Sequence, residues 1–235
     1  MDLSTPGRVL AVGAHADDIE FGCGGTLAKW AAHGSEVHLC VLTDGSKGSW
    51  DPAADVAALI AMRRREQEAA AATLGAKTVH FLDLIDGELV NGPDEQGALC
   101  EVIRRVRPDV VLGHDPWKRY RLHPDHRAAG FLTIDAIVAA RDPHFFPGHG
   151  DPHRPDRLLL FEADVVDHVE DIGAFIDTKV QALLQHQTQW RSTMAIDPDA
   201  PDTAPFAAQV RADAEAGGAG TRATLGEAFK LIEPL

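Results

Sequence analysis

Residues 9–25 read VLAVGAHADDIEFGCGG. Val9 to Val12 is a continuous apolar run, the pattern of a strand buried on both faces of a sheet. The chain then turns polar at once, with His15, Asp17 and Asp18 set where that strand must emerge. An imidazole beside two carboxylates is costly to bury without a partner. The fold therefore turns on whether other strands bring groups of the same kind to the same edge.

Working outward, Arg8 to Ala14 is predicted as strand and Asp18 to Ala32 as helix, closed by Gly34. Glu36 to Leu42 reads as a second strand, followed by the loop Thr43-Asp44-Gly45-Ser46-Lys47-Gly48-Ser49. Ala53 to Leu74 reads as a long helix stopped by Gly75, and Thr78 to Leu82 as a third strand. Leu99 to Val106 is predicted helical, Val110 to Leu112 a fourth strand, and Pro124 to Ala140 a helix with proline at its first position. Asp142 to Pro155 reads as a loop, Arg157 to Glu162 as a fifth strand and Ile172 to Trp190 as a helix. Ile196 to Pro205 reads as an acidic loop, and the remainder as helix interrupted at Gly217-Gly218.

Strands alternating with helices predict an α/β fold, a Rossmann-like three-layer sandwich with a mostly parallel sheet, as one domain over residues 1–235. In such sheets ligands bind beyond the carboxyl ends of the strands. His15, Asp17 and Asp18 follow the first strand, Asp44 the second, and the segment His114 to His126 the fourth. These segments are expected to meet at one rim.

The composition sets bounds. The chain has 235 residues and a formal charge of −14, which argues against a general nucleic-acid footprint. No apolar run approaches the roughly 18 residues needed to span a bilayer. Cys23, Cys40 and Cys100 stand at no ligand-like spacing, and read as small buried groups in a reducing cytoplasm. Two basic clusters stand out in so acidic a chain. Arg63-Arg64-Arg65 reads as a solvated helix face paired with Glu66 and Glu68. Lys118-Arg119-Tyr120-Arg121 reads either as a border of the pocket holding a substrate anion or as a solvated loop or subunit contact.

His15-x-x-Asp18 lets an imidazole and a carboxylate converge on one ion across a strand-to-helix turn, and His123-Pro124-Asp125-His126 adds two imidazoles at a helix start. A set of His, Asp and His with one open position is the arrangement of a catalytic zinc site, although iron or another divalent ion suits the same donors. Taken singly, an Asp-Asp after a strand is more often a helix cap, and a lone His-Pro-Asp-His a helix start. Their joint placement at strand ends carries the metal reading.

AHADDIE (14–20), GCGGTLA (22–28), RRREQEAAAATLGA (63–76) and LHPDH (122–126) together resemble the zinc-dependent de-N-acetylases of the PIG-L or LmbE-like family, as do Thr43-Asp44-Gly45 and the late Lys179…His186-x-x-Gln189. The typical first motif is AHPDD-x-E, and Ala16 here replaces the proline. The resemblance implies His15, Asp18 and His126 as metal ligands and Asp17 as general base. It implies His123 as the group that stabilises the tetrahedral intermediate or protonates the leaving amine, with Asp125 orienting it and favouring its charged form. It implies Arg63 as a contact to substrate polar groups. Asp44 and Arg121 are added as substrate-binding candidates by position, and His186 with Gln189 as groups that either approach the site or pack in the core. The implied reaction removes an acetyl or related acyl group from an amino-sugar-containing small molecule. The implied cofactor is one zinc per chain, and the implied assembly a trimer or hexamer.

Competing readings are a non-catalytic sugar- or metal-binding protein and an amidase for a non-sugar amide. The first would have no need of Asp17 or His123. Dinucleotide, P-loop and serine-hydrolase signatures are missing from the first strand-helix turn and elsewhere. The histidine-bearing stretch HFFPGHGDPH (144–153) reads as a rim loop shaping the pocket rather than a second metal site.

Overall fold

A computed structural model describes residues 2–235. Seven strands form one sheet in the order β3-β2-β1-β4-β5-β7-β6. They are β1 (Arg8–Gly13), β2 (Glu36–Thr43), β3 (Thr78–Leu84), β4 (Val110–His114), β5 (Arg157–Phe161), β6 (His168–Asp171) and β7 (Gly226–Ile232). β1 to β5 run parallel, and β7 pairs antiparallel with both β5 and β6. The helices are α1 (Asp18–Ala32), α2 (Val56–Leu74), α3 (Pro93–Val106), α4 (Pro124–Arg141), α5 (Ile176–Leu183) and α6 (Ala204–Gly218). No helix among the described residues is long and apolar enough to cross a membrane.

The strand period of two divides the core between the faces. Leu10, Val12 and Ala14 join the cluster beneath α3 and α4, whereas Val9 and Ala11 join the cluster beneath α1 and α2. The glycines of 22–25 let α1 lie close to its neighbours. A Cβ on Gly22 would come 2.5 Å from the Phe161 ring, and one on Gly25 2.8 Å from Ile172.

Two long predicted helices are corrected. Ile172 to Trp190 is helical only over Ile176–Leu183, with a single 3₁₀ turn at Gln187–Gln189. Ile172 instead bonds through its N–H to Leu225 O, which ties it to the sheet. The C-terminal segment leaves its helix at Gly218 and returns as β7, wedged between β5 and β6. That pairing is long-range, and local pattern carries little trace of it.

The 142–155 loop is also corrected. α4 begins at the carboxyl edge of the sheet and runs back, so the loop joining it to β5 lies at the amino edge, away from β1's end. His153 bonds there to Pro108 O at 2.7 Å, just before β4. The buried Arg104 guanidinium organises the loop by donating to the carbonyls of Ala139, Ala140, Asp142, Phe145 and Phe146 at 2.9–3.1 Å.

Candidate active site

The strand order reverses between β1 and β4, where the chain leaves β1 toward α1 on one side and β4 toward α4 on the other. This is the crevice in which open α/β sheets bind ligands. Asp17 precedes α1 with φ 92°, a left-handed conformation rare for a side-chain-bearing residue. Its N–H is held by Gln67 Oε1 at 3.2 Å and its carbonyl accepts Phe21 N–H at 3.0 Å. That turn sets Asp17 and Asp18 on different bearings.

Asp18 is the hub. Its Oδ1 lies 3.2 Å from His126 Nε2, and its Oδ2 lies 3.2 Å from His15 Nδ1 and 3.3 Å from His114 Nε2. Pro124 at the first turn of α4 fixes the approach of His126. His15, Asp18 and His126 each offer one donor atom within 4.8 Å of the others. The far nitrogen of His15 meets two more carboxylates, Asp86 Oδ1 and Asp125 Oδ2, each at 3.2 Å. A carboxylate behind a ligating imidazole is the usual support of a metal-binding histidine. The donor chemistry thus fits a divalent ion.

The electrostatics point the same way. Burial alone would lower the His15 pKa, but Asp125, Asp18 and Asp86 override it and raise it to about 12. Three carboxylates thus converge on one imidazole. Burial raises Asp17 to about 6, against the opposing Arg63 charge and with the help of Asp18. Burial beside Asp18 thus makes Asp17 a better proton acceptor than an exposed carboxylate.

The crevice is a cavity of about 610 Å³ lined by Asp17, Lys47, Arg63, Arg121, His123 and Gln189, among others. Arg63 departs from the solvated-face reading. It is 4% exposed, donates to Ala16 O at 2.9 Å, and leaves its Nε without a partner. Arg64 takes the outward role, paired with Asp83 and stacked 4.3 Å over Phe81.

Several expectations are revised. Asp125 does not bond to His123. It accepts from Gly87 N–H at 2.6 Å and faces His15, because α4's first turn points it across the crevice. Nor is Asp125 the main influence on His123. Burial, with His15 and His126 alongside, lowers its pKa despite Asp125. Asp44 stands outside the cavity wall, accepting from Ser46 N–H and Asp86 N–H to brace two loops. His186 is fully buried behind Asp17 beside Glu20, and is likewise no part of the wall. Of the basic cluster, Lys118 donates to Ala163 O and Arg119 pairs with Asp164, leaving Arg121 to face the cavity.

Sequence reasoning missed Asp86, Glu162 and the Glu20–Gln67 pair, and it left His114 without a role. His114 and Glu162 carried a usable signal, since each closes an apolar strand run with a polar group. Asp86 follows β3 after a bulge in the β2–β3 register, which the local pattern does not mark.

Comparisons with known proteins agree with this geometry. The model of the PIG-L family, described as GlcNAc-PI de-N-acetylase, matches residues 10–137. The diacetylchitobiose deacetylase of Thermococcus kodakarensis is 35% identical over 187 residues, spanning 78% of this chain and 70% of that one. The 4-oxalmesaconate hydratase of Pseudomonas putida is 29% identical over 171 residues, 66% of each chain. The structure of N,N'-diacetylchitobiose deacetylase from Pyrococcus horikoshii superposes with a TM-score of 0.87 at 28% identity, covering 97% of this chain and 84% of that one. The strand-end donor set, the family match and the shared fold converge: the chain belongs to the PIG-L family of GlcNAc-PI de-N-acetylase-like proteins.

Proposed function

We propose that this chain, as one catalytic unit over residues 1–235, hydrolyses the N-acetyl group of an N-acetylglucosamine-bearing small molecule. One divalent ion, zinc before iron, is held by His15, Asp18 and His126. The observation that carries the reading is a carboxylate left over: Asp17 lines the cavity beside the three-donor set without belonging to it. The names of the deacetylase relatives support the substrate class.

A divalent ion bound there supplies a Lewis acid that activates water and polarises the amide carbonyl. Asp17 accepts the proton of the attacking water, which its raised pKa of about 6 favours. The same proton then passes to the departing nitrogen as the C–N bond breaks, giving acetate and a free amine. His123 holds the developing oxyanion through a ring N–H. Arg63 and Gln189 meet the sugar's hydroxyl groups from the cavity wall. The three unpaired, buried cysteines support a reducing cytoplasm as the place of action. Association into trimers or hexamers belongs to the same proposal.

The test is acetate release from diacetylchitobiose and other N-acetylglucosamine conjugates by the zinc-loaded protein. Asp17→Asn is expected to retain zinc and to lose at least ~10²-fold in kcat. Hydration of 4-oxalmesaconate with no acetate released from any conjugate would overturn the proposal in favour of the hydratase chemistry named for the Pseudomonas relative.

A further inference from the structure

A second group of donors lies beside the first. His114, His126 and Glu162 each offer one donor atom within 4.8 Å of the others. His114 is the last residue of β4 and sits opposite Phe161, the last residue of β5, so strand pairing fixes it beside Glu162. His114 Nδ1 lies 3.4 Å from Glu162 Oε2, and His126 Nδ1 lies 3.9 Å from the same oxygen. The His114 and His126 rings are 4.4 Å apart.

A cation already stands there. Arg121 Nε is 3.0 Å and Nη2 2.5 Å from His126 Nδ1, and Nη2 is 2.9 Å from Glu162 Oε1. A guanidinium that donates to an imidazole nitrogen uses the lone pair a metal would take. Arginine also stays charged at every relevant pH, so the position holds a permanent positive charge. The flanking residues keep it in place, with Lys118 bonded to Ala163 O and Arg119 to Asp164.

We propose that His114, Glu162 and the outer nitrogen of His126 form a second divalent-cation position, and that the Arg121 guanidinium is its resident occupant. The inference rests on the proposed function in one respect: His126 Nε2 would serve the first ion, the ring giving up its remaining proton to solvent with the Arg121 charge beside Nδ1 to balance it. Arg121 then limits the site to one ion and keeps excess metal out. With Arg121 removed, the outer nitrogen of His126 would be open to a second ion beside His114 and Glu162, the ring's remaining proton having gone to solvent, and zinc would be the fitting ion for two imidazoles and a carboxylate.

Counting zinc per chain after equilibrium dialysis tests this, with zinc alone as the probe and mass spectrometry as the readout. Arg121→Ala is expected to hold one zinc more than the wild type. Arg121→Lys, which keeps a cation, is expected to match the wild type, and Arg121→Ala/Glu162→Gln to return to the wild-type count. An Arg121→Ala count equal to the wild type overturns the proposal, as does an extra zinc that survives Glu162→Gln. Arg121 is a partly exposed loop residue, and circular dichroism confirms that each variant is folded. Asp18→Ala removes the first ion in either background, so failure of the first site is read separately from failure of the second.

Discussion

Two regions of this molecule bury charge, and they do it differently. Along the β6–β7 edge each buried cation is closed off. Lys179 Nζ lies 2.6 Å from Glu227 Oε1, and Lys29 Nζ lies 2.6 Å from Glu170 Oε2, whose other oxygen takes His168 at 2.6 Å. At the carboxyl rim of β1 and β4 the contacts are longer, 3.2–3.3 Å, and several carboxylates and imidazoles share one another. Short contacts, each cation with a carboxylate at 2.6 Å, mark charge used as structure. Longer, many-to-one convergence is what the proposed ion site would use.

The comparison can be broken first at the structural edge. Lys179→Met leaves Glu227 buried and without its cation, and is expected to cost about 3–5 kcal/mol in urea unfolding. Adding Glu227→Gln should recover part of that loss, because it removes the unpaired buried charge, although its single amide oxygen can accept from only one of the two N–H groups, Gly25 and Thr26, that the two carboxylate oxygens now serve. A single variant as stable as the wild type would show that the two regions do not differ in this way.

Next comes the rim. Zinc at about a hundredfold excess over its Kd should stabilise the wild type by about 2.7 kcal/mol, or about 5–10 °C in Tm. Asp18→Ala should show no such gain, and the zinc response of Lys179→Met should match the wild type's.

The smallest effect concerns His186, which shares features of both regions. It is fully buried 3.4 Å from Glu20 Oε2, yet neither ring nitrogen is hydrogen-bonded. Burial disfavours its charge, but Glu20, with Asp17 and Glu66, raises its pKa above the usual value. A raised folded pKa gives stability that is full below about pH 6.5 and is lost as pH rises through the folded value. The stability gap between wild type and His186→Gln should therefore be widest at acidic pH and narrow toward pH 9. A pH-independent gap would make His186 a packing residue alone.

The rim was the more legible region in the sequence. Val9 to Val12 and Val110 to Leu112 announce buried strands by composition, and the polar residues that follow them mark where the strands emerge. The spacing of His15 and Asp18, and of His123 and His126, then indicates convergence. What the sequence withheld depends on side-chain bearing and on distant pairing. Asp125 and His123 are two residues apart, yet α4's first turn sends Asp125 toward His15. Arg63, Arg64 and Arg65 look alike in sequence, but only the helix face decides that Arg63 is sealed against Gly45 and Gly48. β6 has four residues and β7 follows a helix, so neither has a local pattern strong enough to separate strand from the alternatives.

One feature of the sheet reaches beyond chemistry. The rim's groups hang from the ends of β1, β4 and β5, and the β1–β4 ladder fixes Val9 opposite Val110 and Ala11 opposite Leu112. A slip of one residue would turn every side chain of a strand to its opposite face. The three donors His15, Asp18 and His126 meet only when β1 and β4 pair. The proposed ion site would thus be a checkpoint on the central β1–β4 pairing: a refolding chain that took up an ion there would already have joined segments a hundred residues apart in correct register.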